Sequence, residues 1–191
     1  LYRGVVWRMD ASSKVVYLTF DDGPIPECTP EILDILSHYG VKATFFMVAE
    51  NAERYPELVA RVRAEGHAIG NHTYHHMRGH QSCTQVYAAD ALHGEQVLQT
   101  KLFRPPHGRM RYSQKKAMLD AGYTIYLWDV LTHDYNPCYS AEKMLKIVQQ
   151  YTRNGSIIVM HDSLKSKDRV PTLLPRVIEW LQEQGYKLDR L

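Results

Sequence analysis

Val15-Val16-Tyr17-Leu18-Thr19-Phe20-Asp21-Asp22-Gly23-Pro24 is the stretch on which the fold turns. Its first six residues, apolar, β-branched or aromatic, read as a buried strand, and Gly-Pro bends the chain away at its end. Two adjacent acids sit where that strand stops. An unpaired charge taken out of water is costly, so the acids either cap a turn or face a group that stabilises them. Alternation along a strand sends their side chains in diverging directions, which suits two separate tasks. No glycine-rich turn follows Phe20, which argues against a doubly wound nucleotide-binding sheet.

Working outward, short apolar runs alternate with amphipathic stretches, the pattern of parallel βα units. Strands are expected over 15–20, 43–48, 67–70, 102–104, 124–130, 156–160 and 186–188. Helices are expected over 30–39, 56–65, 84–100, 113–121, 140–152 and 170–184. Thr29-Pro30 reads as an N-cap followed by a first-turn proline, and Ser140 as a second capped start. Gly40, Gly66, Gly122 and Gly185 each stand between a helix and a strand, where a left-handed C-cap is useful. About seven strands in this order predict an α/β fold, a deformed (β/α)7-type parallel barrel, with its chemistry at the C-terminal strand ends.

The 191 residues suffice for one domain. Hydrophobic and charged contents of 45% and 23% are those of a globular chain. A net charge of +2 without a dense basic stripe gives no nucleic-acid footprint. No apolar run reaches the length of a membrane span. Residues 1–12 read as an N-terminal arm, or the stub of a longer N-terminus, and 13–191 as the domain. The cluster from Lys165 to Arg169 reads as a solvated loop, and His38, His67, His80 and His93 as surface or capping residues. Cys28, Cys83 and Cys138 form no C-x-x-C pair, so a zinc knuckle is not expected.

The chemistry-bearing residues fall at strand ends. His72 and His76 follow the third strand at a spacing that lets both imidazoles face one point. With Asp22 they form a metal site open to water and substrate, His75 being the competing ligand. Arg104 precedes Pro105-Pro106, after which the N–H groups of His107 and Gly108 are free to act as oxyanion donors. His161 ends a buried strand, a position suited to a general acid. Asp129 shares a face with Leu131, and Tyr74, Tyr112, Tyr135 and Tyr139 lie in loops.

Assembled in order, these motifs resemble the NodB-type polysaccharide deacetylases, carbohydrate esterase family 4. Thr19–Pro24 matches the first motif in full, His72-Thr73-x-x-His76 the second, Arg104-Pro105-Pro106 most of the third, and the strand ending at His161 the fifth. The resemblance implies the NodB/glycoside hydrolase-deacetylase barrel. It implies a divalent ion, commonly zinc with cobalt, nickel or manganese as alternatives, on Asp22, His72 and His76. It implies Asp21 as general base, His161 as general acid and the His107 N–H as oxyanion donor. The substrate it implies is an N-acetylated glycan, chitin-like or peptidoglycan-like, met at the cell envelope or outside the cell.

The chain departs from the family pattern at three points. His107 stands where tyrosine or tryptophan is usual. The fourth motif, Leu131-Thr132-His133-Asp134-Tyr135, lacks its leading acid, and Asp129 is expected to take over that acid's contact with Arg104. Val159 replaces a leucine in the apolar pocket. Beside N-deacetylation stand an O-acetyl glycan esterase, a small-amide or ureide amidohydrolase, and a glycan-binding domain without activity. The presence of Asp21, Asp22, His72, His76 and His161 together speaks against the last.

Overall fold

The structure, a computed structural model, describes residues 4–191, so the first three residues of the expected arm lie outside it. Among the described residues, nine strands form one sheet: β1 (Val5–Val6), β2 (Val15–Asp21), β3 (Thr44–Met47), β4 (Ala68–Asn71), β5 (Leu102–Phe103), β6 (Thr124–Tyr126), β7 (Val130–Leu131), β8 (Ile157–His161) and β9 (Lys187–Asp189). Seven α-helices among the same residues pack around them: α1 (Thr29–His38), α2 (Ala49–Arg54), α3 (Pro56–Ala64), α4 (Thr84–Leu98), α5 (Tyr112–Asp120), α6 (Ala141–Tyr151) and α7 (Val170–Glu183). The strand order is β1-β6-β5-β4-β3-β2-β8-β7, with β9 beside the start of β2, and the strand ladders run parallel.

The sheet curls into a deformed barrel. Its seam lies between the end strands β1 and β7, where the expected strand over 124–130 is split: Leu127 donates to Val6 O at 2.8 Å, and Asp129 donates to Ile157 O at 3.3 Å. The N-terminal segment seals the gap through an antiparallel bridge between Arg8 and Ser156. β2 is the central strand, paired along residues 17–21 with β8 and at its end with β3. Val16, Leu18 and Phe20 are fully buried with Ile32, Leu33 and Leu36 of α1 and Val177 and Ile178 of α7. This continuous apolar contact is what holds Asp21 and Asp22 at a fixed place on the rim.

Four of the βα units end alike. Gly40, Gly66, Gly122 and Gly185 take φ of 65°, 80°, 83° and 78°, a left-handed conformation in which a side chain is strained. At each, the next residue donates back to the carbonyl five positions earlier (Val41 to Leu36 O, His67 to Val62 O, Tyr123 to Met118 O, Tyr186 to Leu181 O). This satisfies carbonyls the helix leaves open. Two expectations are corrected. Thr29 is the first residue of α1 rather than its cap; its hydroxyl donates to Asp162 and accepts from the Ile25 N–H instead. His67 is buried, accepting from the Ala43 N–H through Nδ1 at 3.1 Å.

Candidate active site

Asp21 is the last residue of β2, and Asp22 leaves the strand at φ 87°, so the two carboxylates part. Asp21 is 3% exposed and accepts from Arg104 Nη1 at 2.7 Å. Arg104, wholly buried, is held from every side. Nη1 also reaches Thr19 Oγ1 at 2.7 Å, Nη2 reaches Leu127 O at 3.1 Å and Nε reaches Tyr126 O at 3.4 Å. Its guanidinium lies 4.1 Å from the Phe46 ring centroid and 5.6 Å from that of Trp128. Asp129 is not among its partners: that carboxylate accepts from Ser156 Oγ and Ile157 N–H and faces Arg153. Two backbone carbonyls, those of Tyr126 and Leu127 where the chain leaves β6, stand in for the missing acid.

Asp22, His72 and His76 converge, with one ligand atom from each lying within 4.8 Å of the others. His76 Nε2 is 3.2 Å and His72 Nε2 3.6 Å from Asp22 Oδ1. Burial opposes the Asp22 charge, but hydrogen bonds from the two imidazoles hold its carboxyl well below the usual range. His72 Nδ1 lies 2.8 Å from the Arg104 carbonyl. A carbonyl only accepts, so Nδ1 carries a proton, and Nε2, turned toward Asp22, is the nitrogen that would give up its proton and offer its lone pair to an ion. His75 is no ligand: its ring nitrogen and N–H bind Asp90 on the far side of the turn. The turn needs left-handed backbone at Thr73 and His76 (φ 64° and 53°) to aim His76 inward.

Across the site, Asp21 and His161 are register partners on β2 and β8. Asp134, wholly buried, accepts from the His161 N–H at 2.7 Å and lies 2.8 Å from His161 Nδ1. Burial alone would lower the imidazole's pKa; Asp134, with Asp22 and Asp21 behind it, instead raises it to about 9. The next residue, Asp162, ties the β8 end to the first turn by accepting from Gly23 N–H at 3.0 Å and from the Thr29 hydroxyl at 2.8 Å. Burial raises its carboxyl to about 8. Neither Asp134's grip on His161 nor the Asp162 tie is expected from the sequence. Asp134 lies in a recognisable motif, but nothing in the string pairs it with His161.

A cavity of about 650 Å³ opens over these groups, walled by Trp7, His107, Trp128, Leu131 and Tyr135. His107 sits on it at φ 60°, its ring 4.8 Å from that of His76. The Gly108 N–H is taken by Pro105 O at 2.9 Å, so of the two expected donors only His107 stays a candidate. Val159 is fully buried behind Leu131, its register partner, and it is Leu131 that lines the cavity. Of the four loop tyrosines Tyr135 faces the cavity, edge-on to His161 at 5.2 Å. Tyr74 stacks on His93 and bonds Glu53, and Tyr139 lies under Lys143.

A base candidate, an acid candidate and a metal-type donor triad on the C-terminal rim of a parallel barrel form the layout of a hydrolase. The polysaccharide deacetylase profile matches residues 8–126, and the chain belongs to that family, carbohydrate esterase family 4. It is 35% identical to a peptidoglycan-N-acetylglucosamine deacetylase of Bacillus cereus, over 96% of this chain and 89% of that protein. With a chitooligosaccharide deacetylase of Bradyrhizobium sp. it shares 28% identity over 95% of this chain and 90% of the relative. The crystal structure of the Bc1960 peptidoglycan N-acetylglucosamine deacetylase superposes with a TM-score of 0.94 at 33% identity, covering 98% of this chain and 91% of that one. Among the described residues, no helix is long and apolar enough to cross a membrane.

Proposed function

We propose that the protein removes N-acetyl groups from an N-acetylated glycan, with a divalent ion, zinc first among the choices, held by Asp22, His72 and His76. The observation that carries this reading is the flanking of that triad by two groups with opposite proton tasks, Asp21 fixed by Arg104 and His161 fixed by Asp134. The donors fit such an ion: they converge, and His72 is oriented by the Arg104 carbonyl to offer a lone pair. Two imidazoles and a carboxylate also accept cobalt, nickel or manganese.

A bound divalent ion supplies positive charge that acidifies water and polarises an acetamide carbonyl. Asp21, aimed by Arg104, takes the water's proton as the water oxygen bonds to the acetamide carbonyl carbon. The His107 N–H donates to the carbonyl oxygen as negative charge gathers there. His161, protonated at neutral pH, passes its proton to the nitrogen as the C–N bond breaks, so that acetate and a free amino sugar leave. The peptidoglycan and chitooligosaccharide named for the relatives support a glycan substrate, and with it action at the cell envelope or outside the cell.

Acetate release from N-acetylated glycans and an O-acetylated glycan, and ring opening of a small cyclic ureide, each with and without chelator, test the reading. Chelator-sensitive release from an N-acetylated glycan is expected. Chelator-insensitive release would sink the ion's role. Turnover of the ureide alone, or of the O-acetyl ester alone, would sink the substrate.

A further inference from the structure

The cavity over the donor triad is unevenly charged. Arg78, Arg109 and Lys165 stand exposed on its lining. Among the described residues, none of the three has a carboxylate within ion-pair distance or a side-chain hydrogen bond. Many cations elsewhere are matched: Arg61 with Asp34 and Glu65, Lys101 with Glu95, Lys116 with Asp120, Arg176 with Glu142. The acids in the same lining, Asp21 and Asp22, are committed to Arg104 and to the histidine pair. Lys165, exposed in the solvated loop expected of it, also lines the site.

A second cavity, of about 500 Å³, meets the first at Asp22, His76, Ser163 and Lys165. Its side of the furrow carries Glu27 and Glu50, with Arg54 3.7 Å from Glu50. One furrow therefore runs through the reaction centre with a cationic arm and an acidic arm. Unmatched like charges at one cleft repel each other and focus a positive potential on whatever enters. A neutral sugar chain makes little use of that potential, whereas a carboxylate does. Trp128 and Tyr135, on the same lining, offer flat faces to a sugar ring.

Building on the deacetylase reading above, we propose that this furrow selects an N-acetylated glycan carrying a carboxylate close to the acetamido group attacked. The carboxylate is either on the neighbouring sugar or on a stem attached to it. Arg78 and Arg109 bind it by charge-assisted hydrogen bonds, and Lys165 adds a point charge.

The test measures acetate release from three metal-replete reactions on glycans of equal length. One glycan is a neutral N-acetylglucosamine oligomer, one bears a carboxylate on alternate sugars, and in one that carboxylate is extended by a short acidic peptide. One of the charged glycans is expected to have the higher kcat/KM, through KM, with the advantage shrinking as salt rises. Which one leads tells a sugar carboxylate from a stem carboxylate. In the double variant Arg78→Gln/Arg109→Gln, the charged-to-neutral ratio of kcat/KM should fall about tenfold, the loss of charge-assisted contacts. Both side chains are exposed and, among the described residues, unpartnered, so a melting curve matching the parent is expected and checks the fold. Equal kcat/KM on all three glycans, or a ratio the double variant leaves unmoved, overturns this inference while turnover of the neutral oligomer keeps the deacetylase reading. Acetate from none of them overturns both.

Discussion

Asp21 and Arg104 depend on each other unequally. Arg104 keeps Thr19 and two carbonyls if the carboxylate goes, whereas Asp21, buried and without its arginine, is a stranded charge. Asp21→Asn should therefore fold and bind metal normally while kcat falls by roughly 10²–10⁴, the usual scale for a general base. Metal stoichiometry and acetate release, measured on one preparation, check both halves; loss of metal together with activity would count against the division of labour. His72→Ala should do the reverse and lose metal affinity first. Asp134→Asn withdraws the charge that raises His161, so the alkaline limb of the kcat/KM–pH profile should move to lower pH by about a unit or more. An unmoved limb would remove Asp134 from the proton path. Of this set, the acids, the two histidines that converge on Asp22, and His161 are legible in the sequence as types at strand ends. Asp134's partner is not, because the contact joins two loops distant in sequence, and the support of Arg104 is misplaced onto Asp129 because backbone carbonyls leave no mark in a sequence.

Among the elements, long apolar runs announced β2, β3 and β8, and recurring glycines announced the helix ends. What escaped had no run to read. β1 is two residues long, α2 (Ala-Glu-Asn-Ala-Glu-Arg) lacks an apolar stripe, and the split between β6 and β7 arises only because the chain must cross the seam. The helix-ending glycines allow a clean measurement. A Cβ at Gly122 would meet nothing within 4 Å, yet the residue sits at φ 83°. Gly122→Ala should therefore cost about 1–2 kcal/mol, the penalty of left-handed backbone alone, read from urea unfolding. Gly70→Ala differs in kind: its Cβ would lie 2.3 Å from a Phe46 ring atom, and Phe46 is the face on which Arg104 rests. That variant should lose about 1–3 kcal/mol by overpacking, and activity with it. Full activity would show that the stack is dispensable.

For the molecule as a whole, the buried His67 sets a pH limit remote from the reaction centre. Burial, aided by Lys42, lowers its pKa from 6.5 to about 4. The unfolded chain thus binds the extra proton between those values, and stability is complete above pH 6.5 and is lost as pH falls toward 4. Roughly 2 kcal/mol should disappear between pH 7.5 and 5, because each tenfold difference in proton affinity between the folded and unfolded chain is worth about 1.4 kcal/mol. His67→Gln, which keeps an acceptor for Ala43, should flatten that slope in urea titrations. An equal slope in both proteins would assign the loss to other groups. The seam bears on how the molecule comes to exist at all. Val5 and Val6 are synthesised early, but their ladder partners are Ile125 and Tyr126, and Arg8 waits for Ser156. Until β6 has been made, β1 has no ladder partner, and Trp7 has no cavity to wall until Tyr135 and His161 follow. This part of the wall is begun long before it can close, so the nascent chain carries an open β edge in the meantime. Slow closure and dependence on shielding of that edge are the costs of sealing a barrel with a segment so far upstream of its partners.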